Sequence, residues 1–234
     1  MRYELLLADA DGTLFNFHAG EKIALTAALT AFGLPTDDDT AALYSRVNCG
    51  HWERLERGET TQERLRVERF VDFLAELRRR GAPVPEVDAA ALADRFVTEL
   101  GRQHVPMRGA EAFLRRVSPK MPVYLVTNGI AAVQRSRFEN SELRGYLREL
   151  LISEELGHFK PDPFMVLEAM RRAGITDRRR AVLLGDSVTA DIGAALNAGV
   201  DSILFTDGRP APPACGATYV ARTLTEAADL LLAR

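Results

Sequence analysis

Four short apolar runs, each stopped by polar or glycine residues, punctuate the chain: 3–9 (YELLLAD), 122–129 (PVYLVTNG), 181–187 (AVLLGDS) and 201–208 (DSILFTDG). Runs of this length with such endings predict buried strands. Between the last three, residues 162–174 (DPFMVLEAMRRAG) and 188–199 (VTADIGAALNAG) space their apolar residues for one face of a helix. Each closes on a glycine, the residue best suited to the left-handed turn that ends a helix. Strand, helix and strand in succession predict an α/β fold, a Rossmann-like, doubly wound parallel sheet with right-handed crossovers. Ligands of such sheets bind beyond the carboxyl ends of the strands, where Asp9, Thr127 and Asp186 fall.

The alternation fails between residues 15 and 122, a stretch too long for one crossover. Residues 22–33 (KIALTAALTAFG), 62–81 (QERLRVERFVDFLAELRRRG) and 90–100 (AALADRFVTEL) carry the helical period, while 82–88 (APVPEVD) reads as a loop. The expected organisation is an α-helical cap, 18–103, inserted into a core domain made of 1–17 and 104–234. The prolines of 209–216 (RPAPPACG) predict a surface loop.

Composition narrows the classes. The 234 residues are 47% hydrophobic and 27% charged, which describes a chain that folds around a core in water. A net charge of −3 gives no global field to recruit a nucleic acid polymer. Arg78 to Arg80 and Arg178 to Arg180 read as solvated helix ends that complement the helix dipole. No apolar run approaches the roughly 18 residues of a membrane span, and the N-terminus lacks the pattern of a signal peptide, so a cytoplasmic location is expected. Cys49 and Cys215 fit no metal spacing and are expected as free thiols. A monomer or homodimer acting on a small molecule is the expectation.

The strand ends carry the chemistry. Asp9 and Asp11 stand two apart behind a buried strand, where like charges resist ionising together unless something offsets them. A calcium loop is excluded, because its fifth, sixth and twelfth positions would be Thr13, Leu14 and Gly20. Taken alone, D-x-D-G is better read as a turn, and Gly185-Asp186-Ser187 with Asp191 is as well read as a helix start favoured by its dipole. Thr127-Asn128-Gly129 ends a strand and opens a helical pattern, where N–H groups can cap or bind an anion. Lys160 is one of three lysines (with Lys22 and Lys120) among 30 basic residues, so a lysine here points to a specific need. A cluster of carboxylates wants such a fixed cation.

In order and spacing, DADGT (9–13), TNG (127–129), Lys160 before Pro161, and GDSVTAD (185–191) resemble the four motifs of the haloacid dehalogenase superfamily of phosphohydrolases. The helical insertion resembles that superfamily's type-one cap. Residues 14–17, 51–70 and 126–163 are most similar to the branch of pyrimidine 5′-nucleotidases. Gly12 and His18 depart from it, standing where those relatives often carry acids.

The resemblance implies a phosphatase of small phosphate monoesters, nucleoside 5′-monophosphates foremost, with sugar-phosphate phosphatases, mutases and non-turnover phosphoacceptor domains as alternatives. It implies that Asp9 is the nucleophile and forms a phosphoaspartyl intermediate, with Asp11 as acid and then base. Mg²⁺ would be held by the Asp9 carboxylate, the Asp11 carbonyl and Asp186, with Asp191 orienting them. Thr127, Asn128, Gly129 and Lys160 would take the phosphate. Phe15, Phe17, His18, Asn48 and Trp52 are the candidates for reading a base.

Overall fold

The computed structural model describes residues 2–233, and the chain divides into two compact units, Met1–Phe17 with His104–Arg234, and His18–Gln103. Among the described residues the first unit holds six strands: β1 (Leu5–Ala8), β2 (Val123–Thr127), β3 (Glu149–Ile152), β4 (Ala181–Gly185), β5 (Asp201–Phe205) and β6 (Tyr219–Ala221). Helices α1 (Phe17–Ala31), α2 (Asp38–Glu56), α3 (Gln62–Arg79), α4 (Ala89–Gly101) and α5 (Ala110–Val117) lie between β1 and β2. The other connections carry α6 (Ala131–Asn140) after β2, α7 (Ser153–Leu156) and α8 (Phe164–Ala173) after β3, and α9 (Gly193–Ala198) after β4. Helix α10 (Leu224–Leu232) follows β6.

Every strand pairing is parallel, in the order β3-β2-β1-β4-β5-β6. This is the expected doubly wound α/β fold, with two strands more than the apolar runs marked. The additional strands, β3 and β6, are the two edges of the sheet.

Alternate residues of the central strands feed two cores. Leu6 and Ala8, Val123 and Leu125, and Val182 and Leu184 pack with residues of α5 and α10. Leu5 and Leu7, Tyr124 and Val126, and Leu183 pack with α8 and α9 on the other face. Burial on both faces is why these strands read as continuous apolar runs rather than alternating ones. Each leucine so buried contributes about 1.5–3 kcal/mol. Gly174 and Gly199 end α8 and α9 in the left-handed conformation, with φ of 73° and 69°. The stretch expected as a helix from 188 starts instead as a π-helical turn, Val188–Ile192, which includes Asp191.

The second unit consists of α1 to α4, with 82–88 free of regular structure. Tyr44, Phe70 and Phe96 pack ring to ring at 5.2–5.4 Å between centroids, at the centre of its core. Arg78 and Arg79 end α3 as expected, but Arg178–Arg180 form a short 3₁₀ turn entering β4, where Arg179 pairs with Asp177. Among the described residues no helix is long and apolar enough to cross a membrane.

Candidate active site

The register of the sheet brings three strand ends level. Ala8 pairs with Leu125 on one side and Leu184 on the other, and the Asp9 N–H donates to the Leu184 carbonyl at 2.9 Å. Asp9 therefore closes the ladder, Thr127 is the last residue of β2, and Asp186 is the first residue past β4. Strands β1 to β3 run outward to one edge and β4 restarts beside β1, so this is also where the strand order reverses, the crevice in which such sheets bind ligands.

Lys160 enters this crevice from the loop between α7 and α8. Its side chain is only 1% exposed, and its ammonium donates to Asp9 Oδ1 at 2.6 Å, Asp191 Oδ1 at 2.6 Å and the Val126 carbonyl at 2.8 Å. Three N–H donors meet three acceptors, so the cation is fixed in place. Asn128 holds the loop that carries it: Asn128 Nδ2 donates to the Lys160 carbonyl at 2.9 Å and its Oδ1 accepts from the Lys160 N–H at 2.8 Å. The TNG turn and the lysine loop are thus one hydrogen-bonded piece.

Asp191 has both oxygens engaged, Oδ1 by Lys160 and Oδ2 by the Ser187 N–H at 3.0 Å. It reaches them through space left by Gly185, where a Cβ would lie 2.2 Å from Asp191 Cγ. Asp9, Asp186 and Asp191 each offer an oxygen within 4.8 Å of the others.

Burial pushes the Asp9 carboxyl well above its ordinary range against the pull of Lys160. Burial, and then the charge of Asp191, push Asp186 up to about 6. Burial opposes the charge on Lys160, but Asp191 and Asp9 outweigh it and hold the ammonium above its ordinary value. Three carboxylates share one ammonium, and the uncompensated negative charge on hard oxygen donors suits a small divalent cation. With Asp191 committed to Lys160 and Ser187, the carboxylates that fit it are those of Asp9 and Asp186.

The phosphate side differs in one respect from the expectation. The Gly129 N–H donates to Thr127 Oγ1 at 3.0 Å, and the Ala131 N–H donates to Glu154 at 2.7 Å. Gly129 therefore contributes space rather than a donor.

Residues 3–199 match the family of haloacid dehalogenase-like hydrolases. The chain belongs to that family. It is 31% identical to the pyrimidine 5′-nucleotidase PynA of Streptococcus pneumoniae over 88% of this chain and 84% of that one. With the pyrimidine 5′-nucleotidase YjjG of Escherichia coli it shares 28% identity over 99% of both chains. A crystal structure of the HAD-hydrolase YfnB of Bacillus subtilis, bound to magnesium, superposes with a TM-score of 0.89 at 29% identity, covering 99% of this chain and 100% of that one.

Within this hydrolase the residues named for base recognition divide. Phe15 is buried in the core with Leu14, Phe113 and Leu125, so the expectation of a stacking surface there is corrected. Asn48 is 4% exposed in the helical unit, its Nδ2 donating to Glu21 at 2.8 Å and its Oδ1 accepting from Arg69 Nη1 at 2.9 Å. Its amide serves the interior of the bundle. That corrects the expectation that it reads a base. Arg69 is itself buried, lying over the rings of Phe70 and Phe96 at 5.3 and 5.1 Å, a setting that lets a guanidinium sit in an aromatic core. Phe17 and Trp52 are half-buried and His18 is exposed, so these three retain surface that Phe15 and Asn48 lack.

Three polar residues at the site went unmarked in the sequence reading. Thr13 Oγ1 donates to Asp186 Oδ1 at 3.3 Å. Gln134 and Arg137, both on α6, donate to the Asp11 carboxylate. The signal that could have found the last two is their i, i+3 spacing just after the TNG turn.

Proposed function

We propose that this hydrolase is a Mg²⁺-dependent phosphatase of nucleoside 5′-monophosphates that works through an aspartyl phosphate on Asp9. The observation that carries the reading is the buried Lys160, bonded to both Asp9 and Asp191 at 2.6 Å and facing more acid than it can neutralise. The nucleoside part is supported by the likeness to the two nucleotidases.

The Asp9 carboxylate attacks phosphorus and the ester P–O bond breaks, the leaving alkoxide taking a proton from Asp11. Water then attacks the same phosphorus, Asp11 accepts its proton, and phosphate leaves as the Asp9 carboxylate is regenerated. Dividing the displacement in two replaces one difficult step with two easier ones. Lys160 stabilises negative charge as it builds on the transferring phosphoryl group. Asp9, Asp186 and the Asp11 carbonyl would hold Mg²⁺, which when bound supplies charge neutralisation between anionic substrate and acidic site.

A monoester screen tests the substrate class. UMP and dTMP are expected to exceed small sugar phosphates in kcat/KM by about tenfold or more, the scale of pocket-level discrimination, with phosphate released and activity lost in EDTA; a flat profile rejects the nucleotide reading. Metal binding has a readout that does not depend on turnover. At 100 times its dissociation constant Mg²⁺ should stabilise the fold by about 2.7 kcal/mol, seen as a rise in Tm. Asp186→Ala should remove that rise. An undiminished rise in the variant would show that Asp186 is not a ligand.

A further inference from the structure

The carboxylate of Asp11 is gripped from a direction that the reaction scheme does not explain. Its Oδ2 accepts from Gln134 Nε2 at 2.5 Å, and its Oδ1 accepts from Arg137 Nη1. The two donors stand three residues apart on α6 and so share one face of that helix. Both are nearly inaccessible, at 2% and 1% exposure, although this pair of residue types belongs at the surface. Burying a guanidinium and an amide is costly unless each finds a partner. Among the described residues Gln134 Oε1 has none, so the glutamine holds its place with half of its amide unsatisfied. Its other half is spent on Asp11.

The backbone is shaped around this contact. At Gly129 a Cβ would lie 2.1 Å from Gln134 Nε2 and 2.8 Å from its Cδ. Glycine in the TNG turn thus clears the path by which the amide passes to Asp11. Arg137 is supported from the other side by the Phe15 ring, 5.9 Å from its Cζ.

We propose that Gln134 and Arg137 are positioning residues for Asp11, a two-pronged fork from α6 that fixes the orientation of the carboxyl that passes the proton. Asp11 lies past the end of β1, where its backbone makes an isolated bridge with Phe15, and its side chain is 25% exposed. Held by its backbone alone it would sample several rotamers. Two donors, one on each oxygen, define both its direction and the plane of the carboxyl. A misplacement of about 1 Å in such a group costs on the order of 10²-fold in rate. The fork rests on the reading of Asp11 as acid and base given above, and it acts through Asp11.

The test compares two substrates on the full-length protein with Mg²⁺. The aryloxide of p-nitrophenyl phosphate departs without a proton, whereas the nucleoside alkoxide of UMP needs one. The ratio kcat/KM reports only the steps through the first P–O cleavage, so the later role of Asp11 as base does not enter.

Gln134→Leu should lower kcat/KM for UMP by about 10² and for p-nitrophenyl phosphate by less than about threefold, a selective loss of proton delivery. Arg137→Lys should show the same selectivity, and Gln134→Asn should not rescue it because the shorter side chain falls short of Asp11. Combined with Asp11→Asn, Gln134→Leu should cost nothing further, as two residues of one unit are non-additive. Equal losses on both substrates, no loss, or additive losses would overturn the fork. Should Arg137→Lys not fold, Gln134→Leu decides alone, its Tm recorded alongside. If wild type hydrolyses neither substrate, or Asp11→Asn lacks the leaving-group selectivity, the assignment of Asp11 fails and the fork with it. If Asp11→Asn shows the selectivity and the Gln134 variant does not, the fork alone fails.

Discussion

Asp9→Asn is expected to reduce turnover by at least about 10⁴-fold while the protein folds as before. Asparagine has the shape of aspartate and retains an Oδ1 that can accept from Lys160, which stands 2.6 Å from that atom in the wild type. What it lacks is the charge and the nucleophilic lone pair that form the bond to phosphorus. Stability should not fall, because burial already pushes the Asp9 carboxyl well above its ordinary range, so keeping it ionised at neutral pH costs folding free energy.

The sign follows from that shift. A carboxyl whose folded pKa is raised penalises the folded state above that pKa, and the penalty disappears below the unfolded value of about 3.9, where both states are protonated. The variant should therefore match or exceed wild type in Tm at neutral pH and lose any advantage in acid. The check is phosphate release from UMP together with a thermal melt at two pH values. A variant that kept near-wild-type turnover would remove Asp9 from the role of nucleophile.

Lys160→Ala should be severely slow and also unstable, the one substitution here expected to do both on a large scale. Removing a fixed donor aimed at charge that develops in the transition state typically costs about 10²–10³ in rate. The same change strips Asp9 and Asp191 of the ammonium that holds them together and leaves the Val126 carbonyl without its 2.8 Å donor. Breaking a buried ion pair from one side costs about 3–5 kcal/mol. Lys160→Met, which keeps most of the volume, should lose a similar amount, showing that the charge and not the packing is responsible. Denaturant unfolding in EDTA measures the loss, and Mg²⁺ should restore part of it by supplying a different cation to the same acids. A variant with unaltered stability and rate would show that Lys160 is neither the counter-ion nor the electrostatic donor.

The central strands were legible in the sequence and the edge strands were not. β1, β2, β4 and β5 each have a strand on both sides, and residues of both their faces are buried, so their apolar runs are unbroken. β3 opens with the half-buried pair Glu149 and Leu150, and β6 has the exposed Val220 at its centre. An edge strand that needs no second neighbour carries no such run. In the same way, the strand-end residues Asp9, Thr127 and Asp186 could be read as candidates because each directly follows an apolar run, and the sheet register brings them level.

Other parts of the site depend on encounters between distant residues. Asp11 meets Gln134 and Arg137 across 123 and 126 positions, and the i, i+3 spacing of those two on α6 marks them as a pair without saying which residue they reach. The inward face of that helix consists of Val133, Gln134, Arg137 and Phe138. A reading by hydrophobic period assigns its polar members to water. Asn48, read in the sequence as an amide for a base, is held by Glu21 and Arg69, which reach it from two other helices.

The central strands of the parallel α/β sheet, and the order in which acidic, hydroxyl and cationic groups arrive at its carboxyl edge, can be read along the chain, because strand formation and turn chemistry are local to apolar runs and the residues that stop them. Which groups share charge and hydrogen bonds is set by packing between distant segments. A buried polar side chain takes whichever partner the packing brings within 3 Å, and Gly129 and Gly185 matter for the side chains of Gln134 and Asp191 that fill the space they leave.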